Sequence, residues 1–200
     1  YGTSGPRIML WFDLVDENFS YPMGSVVKLG SVPTFNVRAV GSFKQLPGCP
    51  TYVVEALEKQ DLEKMALGEC FHPSDERYQI VRIEVIKILP QKAADETIAP
   101  LIEDSWRVFD CPPSNHGCSI TFTDPDFVSD GRDALYYVRA LEELIPTING
   151  DNLRVIYDSS GRALTTEMCF GDYRIAASDD CVSMENPRAW SSPIFIDFKN

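Results

Sequence analysis

Short stretches of alternating apolar and polar residues, punctuated by Pro, Gly and Asp, constrain this chain more than any other feature. A period of two belongs to a strand with one buried face, whereas a helix repeats every 3.6 residues. Phe35, Val37 and Ala39 alternate with Thr34, Asn36 and Arg38. Residues 80–89 (IVRIEVIKIL) place Val81, Ile83 and Val85 on one face and Arg82 and Glu84 on the other. Within residues 135–141, Tyr136, Val138 and Ala140 share a face. Residues 8–14, 119–123, 154–157 and 193–198 read as further strands, and residues 158–161 (DSSG) as a turn. One helix is predicted, over residues 53–66, with Leu57 and Met65 on its apolar side and Gly68 as its stop. Many short strands with little helix predict a mainly β fold, a β-sandwich of Ig-like or similar type. Residues 90–104, 145–152 and 165–189 are expected to be long loops.

The chain has 200 residues, 44% of them hydrophobic, enough for one sizeable core. Eighteen Lys and Arg against 30 Asp and Glu leave a net charge of −12. With no basic cluster, neither nucleic acid nor an anionic membrane surface is an expected partner. No apolar run approaches the roughly 20 residues of a membrane-spanning helix. Homo-oligomerisation stays open.

Six cysteines, Cys49, Cys70, Cys111, Cys118, Cys169 and Cys181, lie in stretches rich in turn formers. Chain order suggests three local disulfides: 49–70, 111–118 and 169–181. Zinc knuckles need closer Cys-x2–4-Cys pairs than any found here. Free buried thiols are the other alternative, but an even count in loops favours bridges, hence a periplasmic or extracellular location.

Candidate chemistry is sparse. His72 and His116 lie far apart, in predicted loops, which disfavours a metal centre within the chain. No G-x-S-x-G elbow is present. Asp124, Asp126, Asp130 and Asp133 gather in one acidic loop that could suit calcium, although the spacing is not that of an EF-hand. Asn18-Phe19-Ser20 is a formal glycosylation sequon. Trp11, Phe12, Phe35, Tyr136, Tyr137, Trp190, Phe195 and Phe198 read as sandwich core rather than a carbohydrate platform. Trp106, in a predicted loop, is the aromatic expected to be exposed to a ligand.

Five stretches carry a resemblance: residues 1–8 (YGTSGPRI), 37–50 (VRAVGSFKQLPGCP), 100–113 (PLIEDSWRVFDCPP), 131–142 (GRDALYYVRALE) and 188–196 (RAWSSPIFI). Together and in this order they resemble the C-terminal part of a large bacterial family. That family is related to the PHP (polymerase and histidinol phosphatase) metallohydrolases and to carbaryl-hydrolase-like enzymes. The resemblance implies that residues 1–10 are a junction leaving an upstream catalytic barrel, and that residues 11–200 form a β-rich C-terminal domain. It implies a divalent metal in that barrel, no cofactor in this chain, and export. By the same resemblance, Tyr1, Thr3 and Ser4 would line the mouth of the active site, with no catalytic residue or metal ligand in this chain. Around residues 153–157 the family often carries extra cysteines, and this chain has none there. The implied function is that of an accessory domain of a metal-dependent hydrolase. The alternative is an autonomous, non-catalytic β-sandwich module of an exported assembly. An accessory domain should expose an apolar patch along residues 1–11, from Tyr1 to Trp11, whereas an autonomous module should cover it.

Overall fold

The computed structural model describes residues 1–5, 7–66, 70–148, 154–167 and 182–199. The chain runs through β1 (Gly2–Thr3), β2 (Met9–Val15), β3 (Ser20–Pro22), β4 (Val26–Leu29), β5 (Thr34–Val40) and β6 (Phe43–Pro47). Helices α1 (Thr51–Ala56) and α2 (Lys59–Ala66) follow, then β7 (Phe71–Arg77), β8 (Ile80–Ile88), β9 (Ile102–Asp110) and β10 (Cys118–Thr123). A single turn of helix, α3 (Phe127–Asp130), leads into β11 (Ala134–Glu142). Last come β12 (Ile145–Ile148), β13 (Arg154–Tyr157), β14 (Ala163–Glu167), β15 (Val182–Glu185), β16 (Arg188–Trp190) and β17 (Ile194–Phe198).

The expected mainly β, sandwich-like architecture is what forms. One sheet has four strands in the order β10-β5-β2-β3. The other has seven and is built around β11, which pairs β8 along one edge. Along its other edge β11 pairs β17 with its first half and β16 with its second. Beyond these lie β4, parallel to β17, and β1, antiparallel to β16. Strand β9 closes the far side against β8. The pairs β6–β7, β12–β15 and β13–β14 form separate two-stranded ribbons.

The inward faces follow the alternation seen in the sequence. Leu10, Phe12 and Leu14 of β2 and Phe35, Val37 and Ala39 of β5 are buried. They meet Ile83 and Val85 of β8, Tyr136, Val138 and Ala140 of β11, and Ile194 and Ile196 of β17 in one core. Burying each such aliphatic side chain contributes about 1.5–3 kcal/mol. Aromatic rings join the sheets: Phe35 stacks on Phe12 and Phe122 and lies 4.8 Å from Tyr136 opposite.

Several expectations need correction. The single helix over 53–66 is two helices, because Leu57 is extended (φ −120°, ψ 143°) and ends α1. Neither helix has a buried residue, and Met65 is 75% exposed. Cys49 and Cys70 lie 5.0 Å apart at Cα, so the chain between them has to double back. A straight helix over those 14 residues would run about 21 Å. Gly68 lies outside the described residues. The expected loops at 145–152 and 165–189 contain β12, β15, β16 and the end of β14, and β9 starts within the predicted loop 90–104. Trp11 and Phe195 are partly exposed rather than core, since each sits on the outer face of its strand.

Candidate functional site

A cavity of about 530 Å³ opens beside the start of β2. Met9, Phe43, Pro73, Tyr78 and Ile145 give it mostly apolar walls, and Arg7 and Arg77 stand at them. Local geometry around Gly41 shapes it. A Cβ at Gly41 would lie 1.9 Å from the Tyr78 carbonyl oxygen, so only glycine permits this close approach. The Gly41 carbonyl accepts a 2.7 Å hydrogen bond from Arg77 Nη1, and the Arg77 guanidinium lies 3.6 Å from the centre of the Phe43 ring. Arg77 is thereby fixed with its charge at the cleft, stacked on an aromatic face.

Behind the cleft, Ser42 donates from its backbone N to Glu142 Oε1 at 2.5 Å and from Oγ to Glu142 Oε2 at 3.1 Å. Glu142 is fully buried. Burial raises its pKa against the lowering effect of the two Ser42 bonds. Both Ser42 donors are thereby taken up by one buried carboxylate. The pair reads as a structural tie between the cleft wall and β11.

The residues expected at the active-site mouth do not line this cleft. Thr3 is paired with Ala189, and Tyr1 is exposed. Ser4 donates its N–H to the Arg188 carbonyl and accepts the Arg188 N–H at Oγ, both at 2.9 Å. Ser4 borders a separate hollow with Asn186 and Trp190. Along the entry segment Ile8 and Leu10 are buried in the core, while Trp11 is exposed and Met9 forms part of the cleft.

The disulfides 49–70 and 111–118 form as expected. Cys169 and Cys181 lie outside the described residues. His72 is not in a loop but on β7, where its Nδ1 lies 2.8 Å from the Gly48 carbonyl oxygen. Among the described residues no group of three or more His, Cys, Asp or Glu side chains is placed to hold a metal ion.

The acidic loop is organised by a lysine. Asp124 is fully buried, and Lys87, 3% exposed, reaches both Asp124 and Asp130 at 2.8 Å. Tyr136 Oη donates to Asp124 Oδ2 at 2.6 Å, and its hydroxyl pKa is driven up by burial and by this bond. Burial opposes the Lys87 charge, but the two carboxylates outweigh it and the ammonium's pKa is raised. The ammonium is thus the cation that Asp124 and Asp130 share. Trp106 lies on β9, near the Phe122 and Tyr136 rings, not in an exposed loop.

The sequence pattern did not single out the outer face of the four-stranded sheet. Trp11, Asp13, Asn36, Arg38, Ser119 and Thr121 share it. The signal was present: burial of Leu10, Phe12 and Leu14 turns Trp11 and Asp13 outward. Partial burial raises the Asp13 pKa.

Comparison with protein-family models, curated proteins and solved structures finds no match. No helix among the described residues is long and apolar enough to cross a membrane.

Proposed function

We propose that this chain is the C-terminal accessory domain of a PHP-type metal-dependent hydrolase, seated against an upstream barrel of the same polypeptide. The single observation that carries this reading is the largely apolar cleft beside Arg7 and Met9, where the chain enters the sandwich. An apolar hollow at the point of entry suits an adjoining domain that covers it. Chemistry belongs to the barrel in this reading. No reaction step is assigned to this chain in this reading. Its work is to stabilise the barrel and shape its entrance. Two disulfides are compatible with an extracellular or periplasmic protein, and we place it there.

One observation favours the alternative, an autonomous binding or structural module. Ile8 and Leu10 are buried in the chain's own core and need no neighbour to cover them.

Non-reducing intact and peptide mass spectrometry of the protein from its natural source, with metal analysis of the same sample, separates the two. Peptides upstream of Tyr1 together with a co-purifying divalent metal are the expected result. A mature, metal-free polypeptide starting at Tyr1 would overturn the accessory reading.

A further inference from the structure

The outer face of the four-stranded sheet plays no part in the reading above. Its register sets Trp11 beside Arg38 and Arg38 beside Ser119. The next rank is Asp13, Asn36 and Thr121. A shallow groove of about 280 Å³ lies between the two ranks. Val37, whose side chain is turned into the core, contributes backbone to its floor. Trp11 is 42% exposed, although an indole gains most from being buried. The Arg38 guanidinium lies 5.3 Å from the centre of the Trp11 ring.

We propose that this face binds a neutral carbohydrate chain through Trp11, Asp13, Asn36 and Arg38. Three features define that ligand. First, charge: Asp13 and Arg38 cancel, and among the described residues neither is in a salt bridge. This groove is thus locally neutral on a chain of net charge −12, and it suits an uncharged ligand. Second, apolar contact: the half-exposed indole offers a flat surface to the C–H face of a pyranose ring. Third, hydrogen bonding: sugar hydroxyls both donate and accept, and the groove supplies both partners. Asp13 accepts and Arg38 donates. Asn36 Oδ1 already accepts from Thr121 Oγ1 at 2.7 Å, so the part of Asn36 offered to a ligand is its amide N–H donors. Strands about 4.8 Å apart spread the second rank over roughly 10 Å, room for about two pyranose rings. A lone arginine on an acidic chain gives nucleic acid no comparable footing. The inference stands whether or not an upstream barrel exists.

The test is calorimetric titration of the 200-residue chain with cellohexaose, xylohexaose, mannohexaose and laminarihexaose. At least one should bind. Trp11→Ala should weaken that binding about tenfold or more at an unchanged melting temperature, while Trp11→Phe, which keeps a stacking ring, stays within about threefold. Should Trp11→Ala fail to fold, Asn36→Ala and amide shift mapping on the native chain take its place. Shifts centred on Trp11, Val37 and Thr121 support the site. Silence across all four sugars overturns the proposal, as does binding that ignores these substitutions or shifts amides elsewhere.

Discussion

At the scale of single residues, two buried ionisable groups behave in opposite ways. Lys87 is enclosed by Asp124, Asp130 and the Trp106 ring, and Asp124 also receives the Tyr136 hydroxyl. Removing one partner of a buried pair strands the other charge. Lys87→Met should therefore cost about 3–5 kcal/mol, read as a lower urea midpoint at unchanged slope. Adding Asp124→Asn should recover part of that loss, and a double mutant no better than the single would show that the pairing is not the source. In Glu142 burial wins instead, and the uncharged form is the favoured one. Its folded pKa is raised, chiefly by burial, so the unfolded chain loses that proton at lower pH than the folded one. Stability should fall as pH rises from the ordinary glutamate value, 4.5, to the higher folded one. Glu142→Gln keeps an acceptor for the Ser42 N–H and should abolish this fall. Melting temperatures across that range, wild type against variant, check it: parallel curves would refute the assignment. Neither group was legible in the sequence as a structural charge. The Asp124-Pro-Asp126 spacing signals oxygen ligands, but the cation that answers it comes from a strand 37 residues earlier. Glu142 belongs to an alternating strand whose inward face is otherwise apolar, and only the approach of Gly41 and Ser42 explains it.

At the scale of elements, the helical segment shows where local sequence is a weak guide. Residues 53–66 are good helix formers, which predicts one helix there, yet α1 and α2 bury nothing. Short helices without tertiary packing are marginal in water. The disulfide between Cys49 and Cys70 is what confines them, by closing a loop with a sequence separation of 21. A loop of that length is worth about 3 kcal/mol in chain entropy. Replacing both cysteines with alanine should melt α1 and α2 while leaving the sandwich folded. The helical far-UV signal would drop, and the near-UV signal of the core aromatics would persist. Loss of both signals together would mean that this clip also supports the sheets. The strands were more legible than the helices because their alternation is enforced by a core. Strand β9 is not legible in the sequence because it lies at a sheet edge, where Glu103, Asp104 and Ser105 are all exposed and the period of two is lost.

At the scale of the whole molecule, the order of strands makes the two sheets one unit. The chain passes from β1 in the larger sheet to β2 and β3 in the smaller. It returns to β4 in the larger and crosses again to β5. The closing strands β16 and β17 then dock beside β1 and β4, joining the two ends of the chain. This topology was not legible in the sequence: alternation identifies which face of a strand is buried but not which strand lies beside it. Its consequence is that neither sheet can be completed before most of the chain is in place, so unfolding should be cooperative across the sandwich. Phe35 is the place to test this. It is fully buried, stacks on Phe12 and Phe122 within its own sheet, and faces Tyr136 across the interior. Phe35→Ala should cost about 3–5 kcal/mol. If the sheets form one unit, far-UV circular dichroism and tryptophan fluorescence should report the same lowered midpoint, because Trp11 lies on the smaller sheet and Trp106 and Trp190 on the larger. A variant in which the two probes separate, with the smaller sheet lost first, would mean that the larger sheet is stable by itself. It would also mean that the aromatic contact across the interior does not couple them.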